Sequence, residues 1–455
     1  MLDPLIQQFP DLSNAKEIIP NQLFFTVASS TSSNLTARAP DIPGYFFVCI
    51  DQALNYSPFF DDYGPLNIGQ THRFTQLIQT KLSQSSDICI VYCLNNRESL
   101  TNSVALIGSF LIIHQKCSVA AAYQPFQSYE PFVPFRDASQ GPHFYELFPA
   151  DVIRAVYKAQ QLGFYNYSSF NVTEYEHYET VDHGDLNIIV PNKFLAFAGP
   201  VKESSLIDGI RTFSPIEILP ILQKFNVKTI IRLNKKNYNA EHFITNGINH
   251  FELFFPDGSS PSTQIIEQFF KICDSCRINT TIAIHCKAGL GRTGTLIGLY
   301  LMRHHRLTAN EAIAWIRLSR PGSIIGEQQS CLLQHQQSMH KYYDKHFKPA
   351  NNQKILSPRL TNISVNHPSL IHPTANSQSL SSPVSNQSSK TIKMKSPTSS
   401  LTNNHPNYLS PRSSNVTNTP ISPRIRSNTA STSTRTSPRI NSVRSLTQPI
   451  TAKVE

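Results

Sequence analysis

Short apolar runs alternate with amphipathic stretches along the second half of this chain, which predicts strands alternating with helices. Ser214 opens one helix, with Pro215 at its first position and Glu217 three residues after the cap. Thr308 and Glu311 form a second capping box. This alternation is typical of an α/β domain with a largely parallel sheet. The predicted strands are 194–197, 229–233 and 281–284, and the predicted helices are 215–225, 261–276, 291–304 and 309–320.

The first half repeats this pattern, with predicted strands at 45–50 and 88–92 and an apolar helix at about 100–114. The apolar run Val104–Ile113 is shorter than the roughly 18 residues that span a membrane, so it predicts a buried helix. The N-terminus has no basic segment followed by an apolar one, and we expect no secretory signal. We therefore predict an internal duplication: an α/β fold of two tandem domains, each a mostly parallel sheet flanked by helices.

Composition and charge divide the chain further. The segment 351–455 is rich in Ser, Thr, Asn and Pro, which predicts a disordered tail. It carries 12 of the 40 basic residues but 1 of the 30 acidic ones, so the net charge of +10 belongs to the tail. Asn171–Asp185 is acidic and aromatic without a clear period and is interpreted as a connecting segment. We predict an N-terminal domain at 1–160, an acidic linker at 161–190, a catalytic domain at 191–350 and the tail.

Eight cysteines are scattered along the chain without a disulfide framework, which favours a reducing compartment. Cys273 and Cys276 form a CxxC pair that has no second pair to complete a zinc ribbon. We interpret this pair as buried in the helix 261–276.

The segment HCKAGLGRTGT, His285–Thr295, follows a predicted strand and leads into a predicted helix. A loop that feeds a helix N-terminus directs backbone N–H groups and the positive end of the helix dipole at one point. Gly289 and Gly291 allow the tight turn, and Arg292 offers a planar fork for two phosphate oxygens. The pattern predicts a phosphate-binding loop.

Cys286 lies at the centre of this loop. We expect its pKa to fall well below the ordinary value of about 8.5, which makes the sulfur a thiolate nucleophile at neutral pH. Thr293 can donate a hydrogen bond to that sulfur. Asp257 lies in a turn between an apolar stretch and a helix N-terminus, and we predict that it is the general acid for the departing oxygen.

These residues resemble the cysteine-dependent protein phosphatases. More narrowly, residues 160–345 are similar to the cell-division-cycle-fourteen family of dual-specificity phosphatases, and the first half resembles the N-terminal domain of that family more loosely. The matching stretches are EYEHYE (174–179), HGDLNIIVPNKFLAFAGP (183–200), TIIRLNKKNYNA (229–240), FFPDGSSPS (254–262), the Cys286 loop and RPGSIIGEQQ (320–329).

The resemblance implies hydrolysis of phosphoserine, phosphothreonine and phosphotyrosine in proteins, through a phosphocysteine at Cys286 and without a metal or cofactor. Asp257 is implied as the acid and then the base. The implied phosphate ligands are the backbone amides of Lys287, Ala288, Gly289, Leu290, Gly291 and Arg292, together with the guanidinium of Arg292.

Family members prefer phosphoserine followed by proline with a nearby basic residue, and they oppose cyclin-dependent kinases. The resemblance thus implies a role in cell division and mitotic exit, and a location in the nucleus or nucleolus, the cytoplasm and the spindle pole or centrosome. Glu176, Glu179 and Asp185 match the acidic groove of the family, which is expected to attract a basic substrate side chain.

The first half contains a degenerate copy of the loop. Cys93 directly follows the corresponding predicted strand, which ends at Tyr92, but Ser99 stands where an active copy has arginine, and Glu98 would repel phosphate. We predict that the N-terminal domain is catalytically inactive and forms one wall of the substrate groove. In the active copy, Glu327 replaces a proline usual in the family, beside Gln328 and Gln329, whose role in positioning water stays open.

The residues also bear on three other functions. A phosphoinositide phosphatase shares HCKAG but carries a second lysine at position 290, where Leu290 favours a peptide. A binding protein without turnover would not need Cys286, Arg292 and Asp257 together. The tail has scattered charge and no interleaved aromatics, so we expect no specific nucleic-acid binding. Its Ser-Pro-Arg repeats at 357, 410, 422 and 437 predict sites for a proline-directed kinase.

Overall fold

The fold was determined from a computed structural model that describes residues 2–29, 41–139, 143, 145–207 and 210–347. The predicted disorder of the tail lies outside the described residues. The strands are β1 (Lys16–Ile19), β2 (Leu23–Ala28), β3 (Tyr45–Cys49), β4 (Ile88–Leu94), β5 (Leu186–Val190), β6 (Phe194–Phe197), β7 (Ser205–Ile207), β8 (Ile210–Thr212), β9 (Val227–Arg232), β10 (Asn249–Glu252) and β11 (Thr281–His285).

Helices flank these strands in both halves. The α-helices are α1 (Asp3–Ile6), α2 (Ile50–Ala53), α3 (Ile68–Gln84), α4 (Arg97–Gln115), α5 (Val119–Tyr123), α6 (Pro149–Gln161), α7 (Val172–Glu179), α8 (Pro215–Lys224), α9 (Glu241–Ile244), α10 (Thr263–Ser275), α11 (Gly291–His305), α12 (Ala309–Ser319) and α13 (Glu327–His346). Short 3-10 helices occupy Pro10–Asn14, Gln124–Tyr129 and Val181–His183.

The first half is built on a sheet in the order β1-β2-β4-β3 among the described residues. β2, β4 and β3 are parallel, and β1 is antiparallel to β2. The run Val104–Ile113 lies within α4 and is buried throughout, which confirms the predicted buried helix. α4 packs closely on α6, since a Cβ at Gly108 would come within 2.2 Å of Ile153.

The second half is built on a sheet in the order β10-β9-β11-β6-β5, again counting the described part of the chain. β10, β9, β11 and β6 are parallel, and β5 is antiparallel to β6. Both predicted capping boxes form, at Ser214 and at Thr308. The prediction of tandem α/β domains with mostly parallel sheets is confirmed. β5 joins this sheet although it lies within the segment predicted to be linker.

The connecting segment Asn171–Asp185 contains the helix α7, which the sequence pattern did not predict. Asn171 caps it by accepting a hydrogen bond from the amide of Glu174. α7 packs on the first half, where the ring of Tyr175 would lie 2.8 Å from a Cβ at Gly69 of α3. The helix carries charged and aromatic side chains on several of its faces, so its sequence shows no apolar stripe. Tertiary packing stabilises the helix instead.

The two halves share one apolar core. α6 packs against α12, and a single hydrophobic cluster includes Ile153 and Val156 from the first half and Ile316 and Leu318 from the second. Because burial of apolar surface stabilises by roughly 25 cal/mol per Å², an interface of this kind opposes relative motion of the halves. Residues at the junction are therefore held in place by both.

Cys273 is buried within α10, as predicted. Cys276 was predicted to be buried in the same helix, but it lies at the C-cap in extended backbone and is only half-buried. All eight cysteines are free thiols. In the described ranges, no helix is long and apolar enough to span a membrane.

Candidate active site

The predicted phosphate-binding loop connects the end of β11 to the start of α11. Cys286 directly follows the strand and is 3% exposed. Gly289 has φ +67°, and a Cβ there would lie 2.0 Å from the carbonyl oxygen of Phe197. A Cβ at Gly199 would lie 2.2 Å from the carbonyl oxygen of Cys286. The loop therefore packs so closely on the chain after β6 that glycine is required on both sides.

Arg292 lies in the first turn of α11 and is almost fully buried. Its Nη1 donates hydrogen bonds to the carbonyl oxygens of Phe255 at 3.0 Å and Leu233 at 3.3 Å. Its buried Nε has no hydrogen-bond partner within the described residues. The guanidinium is thus fixed on one side by the backbone, and it retains a donor suited to an anion.

Asp257 lies at the mouth of this site. Its Oδ1 is 3.0 Å from Nη2 of Arg292, and its side chain is 67% exposed. Because the carboxylate is so exposed, this ion pair stabilises the fold little. The structure brings Asp257 into contact with Arg292, which lies six residues after Cys286 in the same segment.

The remaining predicted loop residues differ in exposure. Lys287 and Ala288 are exposed, whereas Leu290, the N-cap of α11, is 8% exposed. Leu290 thus shows little surface at the rim where the sequence argument placed it. Thr293 is fully buried, and its Oγ1 makes no hydrogen bond within the described part of the chain. Its predicted support of the thiolate stays a prediction.

The side chain of Arg320 supports the predicted phosphate-binding loop, a role that was not predicted from the sequence. The residue is fully buried. Its Nε donates to the carbonyl oxygen of Gly289 at 2.8 Å, and its Nη2 donates to that of Ala288 at 2.9 Å. Its Nη1 donates to Oδ1 of Asn187 at 2.7 Å. The only sequence signal was its place in RPGSIIGEQQ, because these partners are distant along the chain.

A buried chain of histidine and tyrosine also supports the loop and was not predicted. Nε2 of His285 is 2.7 Å from the hydroxyl of Tyr238, which is 2.8 Å from Nε2 of His250. Burial lowers the pKa of His285 to about 3 and that of His250 to about 4, so both rings are neutral at pH 7. Nδ1 of His285 lies 3.1 Å from the carbonyl oxygen of Cys286. A carbonyl only accepts, so Nδ1 carries the hydrogen and Nε2 accepts from Tyr238.

Each carboxylate assigned to the acidic groove has a partner within the chain. Glu176 is bidentate to Arg73 of α3, with Nε at 3.0 Å and Nη2 at 2.8 Å. Glu179 is buried and accepts from Nδ2 of Asn67 at 3.1 and 3.2 Å. Oδ1 of Asp185 is 3.0 Å from Nη2 of Arg320, and its side chain is 10% exposed. Glu176, at 25% exposure, is the most accessible of these three side chains.

Gln328 and Gln329 face different surroundings. Nε2 of Gln328 donates to the carbonyl oxygen of Ser259 in the loop of Asp257, at 3.3 Å. Oε1 of Gln329 accepts from Arg317 at 2.7 Å. Glu327 is exposed at the first position of α13, where a negative charge is favourable to the helix dipole and a proline would be equally compatible.

In the first half, the carboxylate of Asp51 contacts the degenerate copy of the loop at both of its ends. Oδ2 of Asp51 accepts from the amide of Leu94 at 2.7 Å, and Ser99 donates its hydroxyl to Oδ1. Burial raises the pKa of Cys93 within β4 to about 12. Asp51, Glu98 and Ser99 also line a cavity of about 340 Å³. A buried neutral thiol beside acidic side chains supports the prediction of a catalytically inactive copy.

Two protein families match this chain. Residues 17–159 match the family described as dual specificity protein phosphatase, N-terminal half. Residues 211–306 match the family described as polymorphic toxin system, DSP-PTPase phosphatase. The second match includes Asp257, Cys286 and Arg292.

Curated relatives extend the similarity over both halves. Dual specificity protein phosphatase CDC14B of Mus musculus is 42% identical over 309 residues, which are 67% of this chain and 63% of that protein. CDC14C of Homo sapiens is 40% identical, over 67% of this chain and 69% of that protein. CDC14A of Mus musculus is 41% identical, over 72% of this chain and 54% of that protein. The chain thus spans between about half and two thirds of the length of these relatives.

Proposed function

Because this chain belongs to the CDC14 family of dual specificity protein phosphatases, we propose that it hydrolyses phosphate esters of proteins through a phosphocysteine at Cys286. The observation that carries this proposal is the approach of Asp257 Oδ1 to within 3.0 Å of Arg292 Nη2, at the mouth of the loop of Cys286. The acid, from a separate loop, thereby meets the anion-binding fork of the segment that also carries the nucleophile.

The reaction proceeds in two displacements. The Cys286 thiolate attacks phosphorus, the bond from phosphorus to the substrate oxygen breaks, and Asp257 donates its proton to that oxygen. Water then attacks the phosphocysteine, Asp257 accepts a proton from it, and the sulfur–phosphorus bond breaks to release phosphate. Arg292 and the loop amides bind the equatorial oxygens, where charge spreads in the transition state.

We further propose a preference for phosphoserine followed by proline with a basic residue beyond it. Its support is the place of α7 beside the catalytic loop: the hydroxyl of Tyr175 donates to the carbonyl oxygen of Ser319 at 3.1 Å, next to Arg320. Glu176 lies on the same helix and is partly exposed. A carboxylate there favours a cationic side chain of the substrate.

A phosphopeptide panel tests the activity and the preference. Wild type is expected to hydrolyse phosphoserine-proline peptides, and Cys286→Ser is expected to have no turnover. Asp257→Asn is expected to lose 10²- to 10³-fold in kcat, roughly the contribution of a general acid. Faster hydrolysis of phosphoinositide vesicles than of peptides, or binding of phosphopeptides without turnover, would overturn the proposal.

The same panel isolates Glu176. Glu176→Gln is expected to reduce the advantage of peptides with a lysine or arginine after the proline by several-fold and to leave peptides without it unchanged. Glu174→Gln is the matched control, because Glu174 lies on the same helix and pairs with Lys224 at 2.7 Å. An equal loss on both peptide classes would count against a role of Glu176 in specificity.

Reversal of cyclin-dependent-kinase phosphorylation, a nuclear and spindle-pole location and phosphorylation of the tail complete the proposal. They rest on the family resemblance and on the Ser-Pro-Arg repeats. Labelling of the full chain by a proline-directed kinase, followed by mapping of the sites, tests the last of these. Absence of label at Ser357, Ser410, Ser422 and Ser437 would contradict it.

A further inference from the structure

Asp137 is a buried carboxylate of the first half that contacts the second half. The preceding residue, Arg136, exchanges two backbone hydrogen bonds with Tyr63, of 3.0 and 2.6 Å, and its Nη1 lies 2.6 Å from Oδ2 of Asp61. The Asp137 side chain is 4% exposed. The carboxylate is therefore fixed to the first half and withdrawn from solvent.

The contacts of Asp137 keep it ionised. Its Oδ2 accepts from the amide of Gly326 at 2.6 Å and from that of Ser139 at 3.2 Å, and its Oδ1 lies 2.9 Å from Nδ1 of His143. Burial acts to raise the pKa of this carboxyl, but these hydrogen bonds, with that from Gly326 foremost, and the charge of Arg317 outweigh it and lower the pKa. A charged acceptor forms a stronger hydrogen bond to Gly326 than a neutral one.

Gly326 lies two residues before Gln328, whose side chain contacts the loop of Asp257 and packs against the start of α11. Gly326 has φ +55° and precedes α13. Gln328 is fully buried; its Oε1 accepts from the amide of Ile325 at 3.1 Å, and its Nε2 donates to the carbonyl oxygen of Ser259. A Cβ at Gly291, the first residue of α11, would lie 2.8 Å from that Oε1. A shift of the turn at Gly326 therefore moves the side chain of Gln328, which packs against the loop of Asp257 and against the end of the loop of Cys286.

We propose that Asp137 is a positioning residue of the reaction: by holding the amide of Gly326, it places Gln328 against the loops that carry Asp257 and Arg292. This inference rests on the proposed phosphatase function. Asp137 is buried and its carboxylate oxygens are already bonded within the chain, so it does not contact the substrate. The first half thereby takes part in catalysis without a reactive group of its own.

Three variants test this role by steady-state kinetics on an aryl phosphate and on phosphopeptides. Asp137→Ala is expected to lower kcat about tenfold, with KM within about twofold, because the loops are misplaced while the substrate surface is unchanged. Asp137→Asn keeps an oxygen that accepts from Gly326 and is expected to restore most of kcat. Asp151→Ala is the control: Asp151 is a similarly buried carboxylate of the first half that pairs with Arg154 at 2.7 Å, and kcat should stay at the wild-type value.

Hydrogen exchange of the intact protein provides a second measurement that does not depend on turnover. In Asp137→Ala, peptides covering 256–260 and 325–329 are expected to exchange at least several-fold faster than in wild type and in Asp151→Ala. Unchanged exchange together with unchanged kcat overturns the proposal. A selective loss on peptides with a basic residue also overturns it and makes Asp137 a substrate contact. If wild type shows no turnover, the proposed function fails, and the exchange measurement alone decides the positioning role.

Discussion

Nη2 of Arg320 lies 3.0 Å from Oδ1 of Asp185, in a buried ion pair that joins the acidic linker to the phosphate loop. Arg320 also bonds the carbonyl oxygens of Ala288 and Gly289. Removal of one partner of a buried ion pair leaves the other charge uncompensated, which is costly. Asp185 thus acts on the geometry of the loop through Arg320, which is a different effect from attraction of a basic substrate.

Asp185→Asn is therefore expected to lower kcat/KM about tenfold on every phosphopeptide, with or without a basic residue after the proline. The measurement is the ratio of kcat/KM between matched peptides in wild type and variant. Asp182→Asn, an exposed carboxylate of the same segment, is the control and should be silent. A loss confined to basic peptides would instead assign Asp185 to the substrate groove that the family resemblance implies.

Gly289→Ala should abolish activity and destabilise the fold. A residue with a Cβ at φ +67° costs about 1 kcal/mol, and this Cβ would also lie 2.0 Å from a backbone oxygen of Phe197. The clash is relieved only if the phosphate loop moves, so kcat should fall more than about 100-fold. Gly247→Ala is the matched control: its φ is +76° and nothing lies within 4 Å of the added Cβ. Equal thermal unfolding midpoints for the two variants would contradict the close packing.

The residues that sequence reasoning identified share one property: their chemistry is local. Cys286 and Arg292 lie in one contiguous segment that leads from an apolar strand into a helix, and Asp257 lies in a turn of recognisable composition. Five strands of the two sheets, β3, β4, β6, β9 and β11, were predicted because buried parallel strands are short apolar runs. The strands β1, β2, β5 and β10 were not predicted. Each of these signals is contained within a window of about a dozen residues.

The residues that were missed act through contacts that are distant along the chain. Arg320 supports Gly289, Tyr238 joins His250 to His285, and no local pattern distinguishes either side chain from an ordinary polar residue. The helix α13 is polar over most of its length and packs on α11, so its formation depends on tertiary contacts rather than an apolar period. Such features follow from the assembled fold.

Tyr238→Phe is expected to lower the free energy of unfolding by about 2 kcal/mol. The ring remains, but a buried nitrogen of His285 and one of His250 lose their partner, and each unsatisfied group carries a desolvation penalty. Because His285 also orients the backbone of Cys286, kcat should fall by about three- to tenfold. Tyr178→Phe is the control, since its hydroxyl accepts from Lys224 near the surface. A Tyr238→Phe variant as stable as this control would show that the chain does not stabilise the fold.

The stability of the protein is expected to fall as the pH drops below about 6.5. Burial lowers the pKa of His285 to about 3, whereas the unfolded chain binds this proton near the ordinary value of about 6.5. The stabilisation from the neutral ring is therefore complete above pH 6.5 and is lost towards pH 3, by about 1.4 kcal/mol per pH unit. Thermal unfolding midpoints at pH 7.5, 6.5 and 5.5 measure this loss.

His285→Asn separates this histidine from the other titrating groups. The variant removes the proton that unfolding takes up, so its midpoint should be lower at pH 7.5 but should change less between pH 6.5 and 5.5 than that of wild type. His183→Asn, an exposed histidine, should keep the wild-type dependence. Parallel pH dependences for wild type and His285→Asn would mean that the proton uptake on unfolding arises elsewhere, and that His285 is not held neutral by its burial behind Cys286.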